Sequence, residues 1–487
     1  MVLYMGIVTG VFAQNTSKFI EIRHADRFTF DQQQSDAKYL TGSVVFEHDG
    51  AVLTCDTALF FEVDERIKAS GNIRITKGDS VSATSNQLEY SGKTRMARMI
   101  SKVKLIENKL RLETDTLDFN LKSGKAYYTH SALSHYLDNS FISKQGFYNS
   151  RLKKLEFLNE VILKNVDYTI RTDTLHYYLK SEMAYFLSPS ILEQKSDFIY
   201  CSRGWYNTKT NTAKLYSGPV IHSENRILKS DSMYYNGIKK TAQAFGHIQL
   251  QDTLHKLFVM GHSGIMNNIS KQSKIYGKTL TYSYKNMDTL KLWSDTLKAW
   301  HHSNNFRFKA WPDVQMAQLQ YQARCDSLIY IESDSLMQAF GKPIFWNSNM
   351  QLSSKFMNFV FYKNHIYRGY CKGEVSVVEP ADSTDALKLN QITGSNLFMM
   401  FVNDTLSKLT VNGKAQSLNW MREAEAWKGA ETIQSEEYRI WLQQGQVIRV
   451  TARPKTQGRM IPLMECNPEN TILKNSKWQG HLRPKFR

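Results

Sequence analysis

The stretch "IRTDTLHYYL" at residues 170–179 decides the fold, because the same ten-residue pattern returns about 58 residues to either side. The copies are "LETDTLDFNL" at 112–121 and "LKSDSMYYNG" at 228–237. Weaker copies fall midway between them, which halves the period to about 29 residues. A fixed period of this length is typical of a repetitive stack of identical supersecondary units.

Each copy reads as a β-strand. Leu175 and Tyr177 fall on one face and His176 and Tyr178 on the other, a period of two residues. Between the copies runs a second recurring piece with a glycine, as in "AQAFGHIQL" at 242–250. The sequence therefore predicts an all-β protein, an elongated antiparallel β-jelly-roll with a V-shaped section, built from strand-turn-strand repeats of about 29 residues.

The alternation of apolar residues slips by one position at the Asp-Thr or Asp-Ser pair of each copy. Ile170 lies three residues before Asp173, an odd offset, whereas Leu175 and Tyr177 follow it at even offsets. Such a slip would turn every later side chain to the other face unless a β-bulge or bend restores the facing. We expect a bulge or sharp bend at each of these structural anchors, which are Asp56, Asp115, Asp173, Asp231 and Asp326.

Strands that bend at a fixed level form a trough with an apolar inner surface. If its two walls touch, the trough is a closed core, and if they stand apart, it is a groove for an elongated apolar ligand. Methionine and aromatic side chains on the inner face favour the groove modestly, since they adapt to irregular partners. The predicted lipid-binding residues are Leu117, Phe119, Leu175, Tyr177, Met233, Tyr235, Leu328 and Tyr330.

The pattern resembles the OstA-like family, related to the LptA-type proteins of lipopolysaccharide export, and is most similar to the long form found in Bacteroidota. The resemblance is carried by the "L-x-[ST]-D-[ST]-L-x-[FY]" anchors, by their "A-x-x-G-x-Φ" returns, and by residues 413–452 and 473–487. It implies a non-enzymatic periplasmic bridge without a cofactor, whose groove shields the lipid A acyl chains of lipopolysaccharide. The implied partners are the other transport components at the inner and outer membranes.

The net charge of the chain indicates which kinds of partner it can attract. With 62 Lys+Arg against 45 Asp+Glu, the formal net charge is +17, which attracts polyanions or anionic membrane surfaces. Nucleic acid is not expected for an exported protein without a basic-aromatic binding module. In the basic C-terminal tail, docking to a membrane or partner is predicted for Trp478, Arg483, Lys485 and Phe486. Open strand edges would also allow head-to-tail self-association.

The N-terminus has the apolar run and small-residue cleavage site of a signal peptide at residues 1–13, without the basic start that a complete one carries. We predict a truncated signal peptide, with a buried N-terminal strand as the alternative, and a periplasmic protein peripheral to the outer membrane. The predicted divisions are repeats at 14–265, an irregular insertion or hinge at 266–320, further repeats at 321–425, and C-terminal strands with the basic tail at 426–487. Residues 423–437 are predicted to form a turn or short helix.

No enzyme signature stands out. The sequence has no G-x-S-x-G, no H-E-x-x-H and no paired-cysteine spacing, so neither catalysis nor a metal site is predicted. His301 and His302 are assigned to a polar loop, and the five cysteines are expected to be free. Two alternatives to a lipid carrier stay open: a scaffold protein of the cell envelope with a closed β core, and a polysaccharide-active enzyme on a β-solenoid.

Overall fold

The computed structural model describes residues 19–31, 36–195, 197–284, 290–302, 305–319, 321–347, 350–363, 365–382, 388–424 and 426–485. The predicted signal peptide and Phe486 lie outside these residues. The chain divides after Pro219 into two compact units, which we call unit 1 (1–219) and unit 2 (220–487).

Unit 1 consists of antiparallel strands. These are β1 (Glu21–His24), β2 (Arg27–Phe30), β3 (Ala37–His48), β4 (Ala51–Phe61), β5 (Arg66–Lys77), β6 (Val81–Ser91), β7 (Met96–Glu107), β8 (Leu110–Asn120), β9 (Lys125–Tyr128) and β10 (Ala132–Tyr136). They continue with β11 (Asn139–Ser143), β12 (Gln145–Asn149), β13 (Lys154–Lys164), β14 (Thr169–Tyr178), β15 (Met183–Phe186), β16 (Ser190–Gln194), β17 (Asp197–Cys201), β18 (Arg203–Asn207) and β19 (Thr212–Tyr216).

Unit 2 repeats this architecture. Its strands are β20 (Val220–Ser223), β21 (Arg226–Lys229), β22 (Ser232–Asn236), β23 (Thr241–Asp252), β24 (Leu257–Asn267), β25 (Gln272–Ser283), β26 (Leu290–His302), β27 (Asn305–Trp311), β28 (Val314–Ala317), β29 (Tyr321–Cys325) and β30 (Ser327–Ile331). They continue with β31 (Leu336–Phe340), β32 (Ile344–Asn347), β33 (Met350–Ser353), β34 (Phe356–Tyr362), β35 (His365–Pro380), β36 (Leu389–Val402), β37 (Thr405–Glu423), β38 (Ala426–Gln443), β39 (Gln446–Arg453) and β40 (Gln457–Pro462).

The predicted all-β antiparallel class is therefore confirmed. The only helices in the described ranges are two 3₁₀ turns, Leu463–Glu465 and Gly480–Leu482. No helix among the described residues has the length and apolarity that a membrane crossing requires. The turn or short helix predicted at 423–437 was wrong, because its residues from Ala426 onward belong to β38 and pair with β37. Pairing with a long neighbouring strand outweighs helix propensity, which is a weak preference.

The strands bend at bulges that lie opposite the Asp anchors. Between β4 and β5, Thr54 pairs with Arg74 and Thr57 with Ser70, so β5 holds one residue more than β4 at this level. The extra length is taken up by Gly71 and Asn72, both in the left-handed region with φ of 78° and 43°. Asp56 lies opposite this pair, and its side-chain oxygen accepts a 2.9 Å hydrogen bond from Asn72 Nδ2. The bulged residues thus lie on β5, the strand that carries the recurring glycine segment, and Asp56 on β4 faces them.

Two separate constraints require a glycine at position 71, in the recurring glycine segment that forms this bulge. Its positive φ is disfavoured for residues with a Cβ, and a Cβ on Gly71 would lie 2.2 Å from Asp56 Oδ2. Gly246 and Asp231 in unit 2 are related in the same way, with a corresponding distance of 2.1 Å. The Asp and the Gly therefore recur together because the Asp side chain occupies the space that a Cβ would need.

Each bulge separates a strand into two halves that belong to different walls. In unit 1, the first half of β13 pairs with β12, and its second half pairs with β11, on the other side of the bulge at Asn159 and Glu160. In unit 2, β25 is divided in the same way at Gly277 and Lys278. The interior of each unit lies between its two walls.

Residues 266–320, for which the sequence predicted an irregular insertion or hinge, contain strands β25 to β28 and the bulge at Gly277. Asp295 lies opposite this bulge on β26. On β24 the side chain against Gly277 is that of His262, whose Cβ would lie 2.9 Å from an added Cβ and which takes the place that Asp56 has against Gly71. A hinge in this region, and the division of the chain into four segments, stay predictions.

Candidate functional site

The interior of unit 1 is closed by aromatic side chains that meet across its walls. Phe141 on β11 stacks on Phe157 of β13, with ring centroids 4.9 Å apart, and contacts Tyr177 of β14 at 4.8 Å. Tyr177 is fully buried, and its hydroxyl lies 2.9 Å from Thr208 Oγ1. At this level of unit 1 the walls touch, so the space between them is a packed core.

Unit 2 contains a cavity of about 440 Å³ between its walls. One side is lined by residues on the second halves of β25 and the first halves of β24 and β26, including Leu257, Thr281 and Leu292. The other side is lined from β27 and β30 by Phe308 and Tyr330. A cavity of this size is within the range of small-molecule and lipid sites.

The cavity lining is mostly apolar with a few polar groups. Phe308, Tyr330 and Met337 lie side by side on paired strands and are only half-buried, because they face the open space. Thr281 Oγ1 is buried in the wall and has no hydrogen-bond partner among the described residues. Lys363 is exposed at the rim of the cavity and forms no ion pair with the described residues. A largely apolar lining with one cation at its edge suits an amphiphilic anion.

The two ends of the cavity differ in polarity and in whether they are open. His255 and Phe306 connect it to a polar cavity of about 450 Å³ that is also lined by Asp252, His301 and Glu332. In the other direction Met316, Leu328 and Met337 lead to a void of only about 20 Å³. Beyond that void lies a core cluster from β32 to β38, including Phe345, Phe359 and Leu397. The apolar cavity is thus open toward a polar end and closed at the other.

The polar end is unusual because buried ionisable groups meet there. The side chain of Asp252 is 8% exposed, and its Oδ2 lies 3.0 Å from His255 Nδ1 and 3.2 Å from His301 Nε2. Burial lowers the pKa of His301 to about 4, so its imidazole is uncharged at neutral pH. Hydrogen bonds from His255 and the nearby imidazoles keep the pKa of Asp252 below its usual value against the opposing effect of burial. The assignment of His301 to a polar loop was wrong, because it lies in β26.

The predicted lipid-binding residues fall into two groups. Leu328 and Tyr330 line the apolar cavity. The other six are at most 4% exposed and lie in the packed interiors of unit 1 or unit 2; they are Leu117, Phe119, Leu175, Tyr177, Met233 and Tyr235. The structure therefore brings two of the eight to the cavity and leaves a role in lipid binding for the others as a prediction.

Several cavity residues were missed by sequence reasoning. Phe306 and Phe308 line the cavity and lie in residues 266–320, for which the sequence predicts an irregular insertion or hinge. Two signals there were available: the alternation of "NFRFKAW" at 305–311, and "LWSDTLKAW" at 292–300, which fits the anchor pattern around Asp295. Asp295 falls outside the regular period, because it follows Asp231 by 64 residues rather than about 58.

The C-terminal segment 463–485 packs against the rest of unit 2, where three buried glutamines bind it. Gln351 donates to Lys477 O at 2.8 Å and accepts from Gln479 N at 2.6 Å. Gln391 makes the same double contact with Thr471 O and Leu473 N, and Gln322 accepts from Arg483 Nε. Arg483 is thus engaged within the chain. Trp478 is half-buried and Lys485 is exposed, and docking through these residues stays a prediction.

The cysteines offer no reactive thiolate at the cavity. All five are free, and four are buried. Burial raises the pKa of the Cys325 thiol to about 12, and it does the same for Cys371. A buried thiol that stays protonated behaves as a small apolar side chain.

Residues 17–173 match the family model described as OstA-like protein. No curated protein matches the chain.

Proposed function

We propose that this chain, an OstA-like protein by the match of its residues 17–173, carries lipopolysaccharide across the periplasm from the inner to the outer membrane. The family supports a role in lipid transport without catalysis. The observation that carries the proposal for this chain is the apolar cavity of about 440 Å³ between the walls of unit 2. Acyl chains of lipid A would occupy it.

A carrier needs such a cavity because exposure of an acyl chain to water costs a large free energy. Burying one CH₂ is worth about 0.8 kcal/mol, so an acyl chain of roughly 14 carbons forfeits on the order of 10 kcal/mol when exposed to water. The half-buried faces of Phe308, Tyr330 and Met337 would regain apolar contacts on binding the chain. Lys363 at the rim would pair with a phosphate of the lipid headgroup.

The experiment uses two neighbouring residues that face opposite ways. Tyr330 lines the cavity, whereas Ile329 lies on the outer face of β30, where it pairs with Lys309. Each is replaced in living cells by a photo-crosslinking amino acid, and the irradiated protein is probed for a lipopolysaccharide adduct. We expect an adduct at 330 and none at 329.

The other outcomes discriminate between functions. A phospholipid adduct at 330 in place of lipopolysaccharide would keep the cavity as a lipid site and change its cargo. No adduct at 330, in a protein that is folded and exported, would rule out lipid in the cavity. It would then favour a scaffold protein of the envelope, an alternative that the packed interior of unit 1 supports through the contacts of Phe141 with Phe157 and Tyr177.

A further inference from the structure

The polar end of the unit 2 cavity brings together a carboxylate and two imidazoles from separate parts of the chain. Asp252 ends β23, His255 lies in the turn that follows, and His301 lies near the end of β26. Their donor atoms, one from each residue, all lie within 4.8 Å of one another. Oxygen and imidazole nitrogen donors in this combination suit zinc and similar divalent ions.

Two of the three distances between the donor atoms are close to those of an occupied site. Two ligands bound tetrahedrally to one zinc ion, at about 2.0 to 2.2 Å each, are separated by roughly 3.3 Å. Asp252 Oδ2 lies 3.0 Å from His255 Nδ1 and 3.2 Å from His301 Nε2. An ion could thus enter between these donors with small shifts of the side chains.

The surroundings resemble the outer shell of a metal site. A metal-binding histidine usually donates its second ring nitrogen to a carboxylate, which fixes the orientation of the ring. If His255 binds through Nδ1, its Nε2 lies 3.6 Å from Glu332 Oε2. The ring of His255 is also stacked on Phe306, with centroids 4.1 Å apart. The ring of His255 is therefore held by Phe306, and the Glu332 carboxylate lies just beyond hydrogen-bonding distance of its second nitrogen.

We propose that Asp252, His255 and His301 form a binding site for a zinc-like divalent ion at the polar end of the cavity, with Glu332 as a positioning residue. Three protein ligands leave one tetrahedral position for a water or another oxygen ligand. The site does not depend on the proposed transport of lipopolysaccharide, because its occupancy is measured without lipid.

The test is calorimetric titration of Zn²⁺ into the full chain, prepared without a polyhistidine tag. We expect one ion per chain for the wild type. Affinity should fall at least tenfold in His301→Ala and in Asp252→Asn, which keeps the shape of the side chain. The Glu332→Gln variant should lose about 10- to 100-fold, as removal of outer-shell partners typically does.

A matched control comes from a second histidine-carboxylate pair. His247 Nδ1 lies 2.8 Å from Asp231 Oδ2, but this pair is exposed and has no third ligand in the described residues. His247→Ala should bind zinc as the wild type does. Absence of zinc binding in the wild type, or equal affinity in the wild type and the folded Asp252→Asn variant, would overturn the proposal.

Discussion

The bulge at Gly71 gives a stringent test of why Asp and Gly recur together. The perturbation is Gly71→Ala, which places a Cβ at a φ of 78° and 2.2 Å from Asp56 Oδ2. A Cβ in the left-handed conformation costs about 1–2 kcal/mol, and overpacking adds about 1–3 kcal/mol. We therefore expect a loss of about 2–5 kcal/mol in the free energy of unfolding of unit 1.

The control for this substitution is Gly50→Ala. Gly50 has a φ of 71°, but a Cβ there would meet no atom within 4 Å, so it should cost only the backbone term of about 1–2 kcal/mol. The assay is urea unfolding of the full chain followed by circular dichroism, with hydrogen exchange of the peptide 51–77 to report on this part of unit 1 alone.

A double variant separates the two contributions. In the Asp56→Gly background every close atom of the Asp56 side chain is gone. The difference in stability between Asp56→Gly/Gly71→Ala and Asp56→Gly should therefore fall to the cost of Gly50→Ala in the wild type. Equal losses for the two single variants would show that the bulge relaxes around the new Cβ. In that case the contact would not explain the repeat.

Three further predictions concern the packed interior, the cavity rim and pH. Phe141→Ala should lower the free energy of unfolding by about 3–5 kcal/mol in urea denaturation, whereas Phe147→Ala, at a side chain 45% exposed, should change it little. Lys363→Ala should weaken lipopolysaccharide binding about 10- to 150-fold in a direct binding assay, since hydrogen bonds to charged groups are worth about 1.5–3 kcal/mol; unchanged affinity would show that Lys363 does not contact the ligand. Burial, followed by the charge of Lys154, lowers the folded-state pKa of His176. Its contribution to stability should therefore be lost as pH falls from about 7 to 5, and His176→Asn should flatten this part of the urea-midpoint profile.

The strand architecture could be predicted because it depends on local pattern. In β14 the buried residues are Ile170 and Thr172 before Asp173, and Leu175 and Tyr177 after it. The one-residue shift in the apolar alternation of the sequence is therefore matched by a one-residue shift in burial. The pattern could not show which of the two paired strands holds the extra residue of the bulge, namely the strand with the recurring glycine. That follows from hydrogen-bond register, which involves both strands.

The cavity could not be predicted from the same pattern. Inner-face residues such as Tyr177 and Tyr330 look alike in sequence, but one touches the opposite wall and the other faces open space. Wall separation depends on the summed volumes of side chains that are distant in sequence. The meeting of Asp252 with His301 has the same origin, because two strands and their turns separate them.

The bulges also constrain how a chain of this kind can change in length during evolution. Each bulge must stay opposite an anchor on its neighbour, as Gly71 stays opposite Asp56 and Gly246 opposite Asp231. An insertion of one residue within a strand would move the bulge away from its anchor and exchange the inner and outer faces of the half that follows, whereas an insertion of two would keep the faces but still displace the bulge. Gain or loss of a whole hairpin would leave every remaining bulge in place, so we expect relatives to differ by complete hairpins and by loop insertions at the turns.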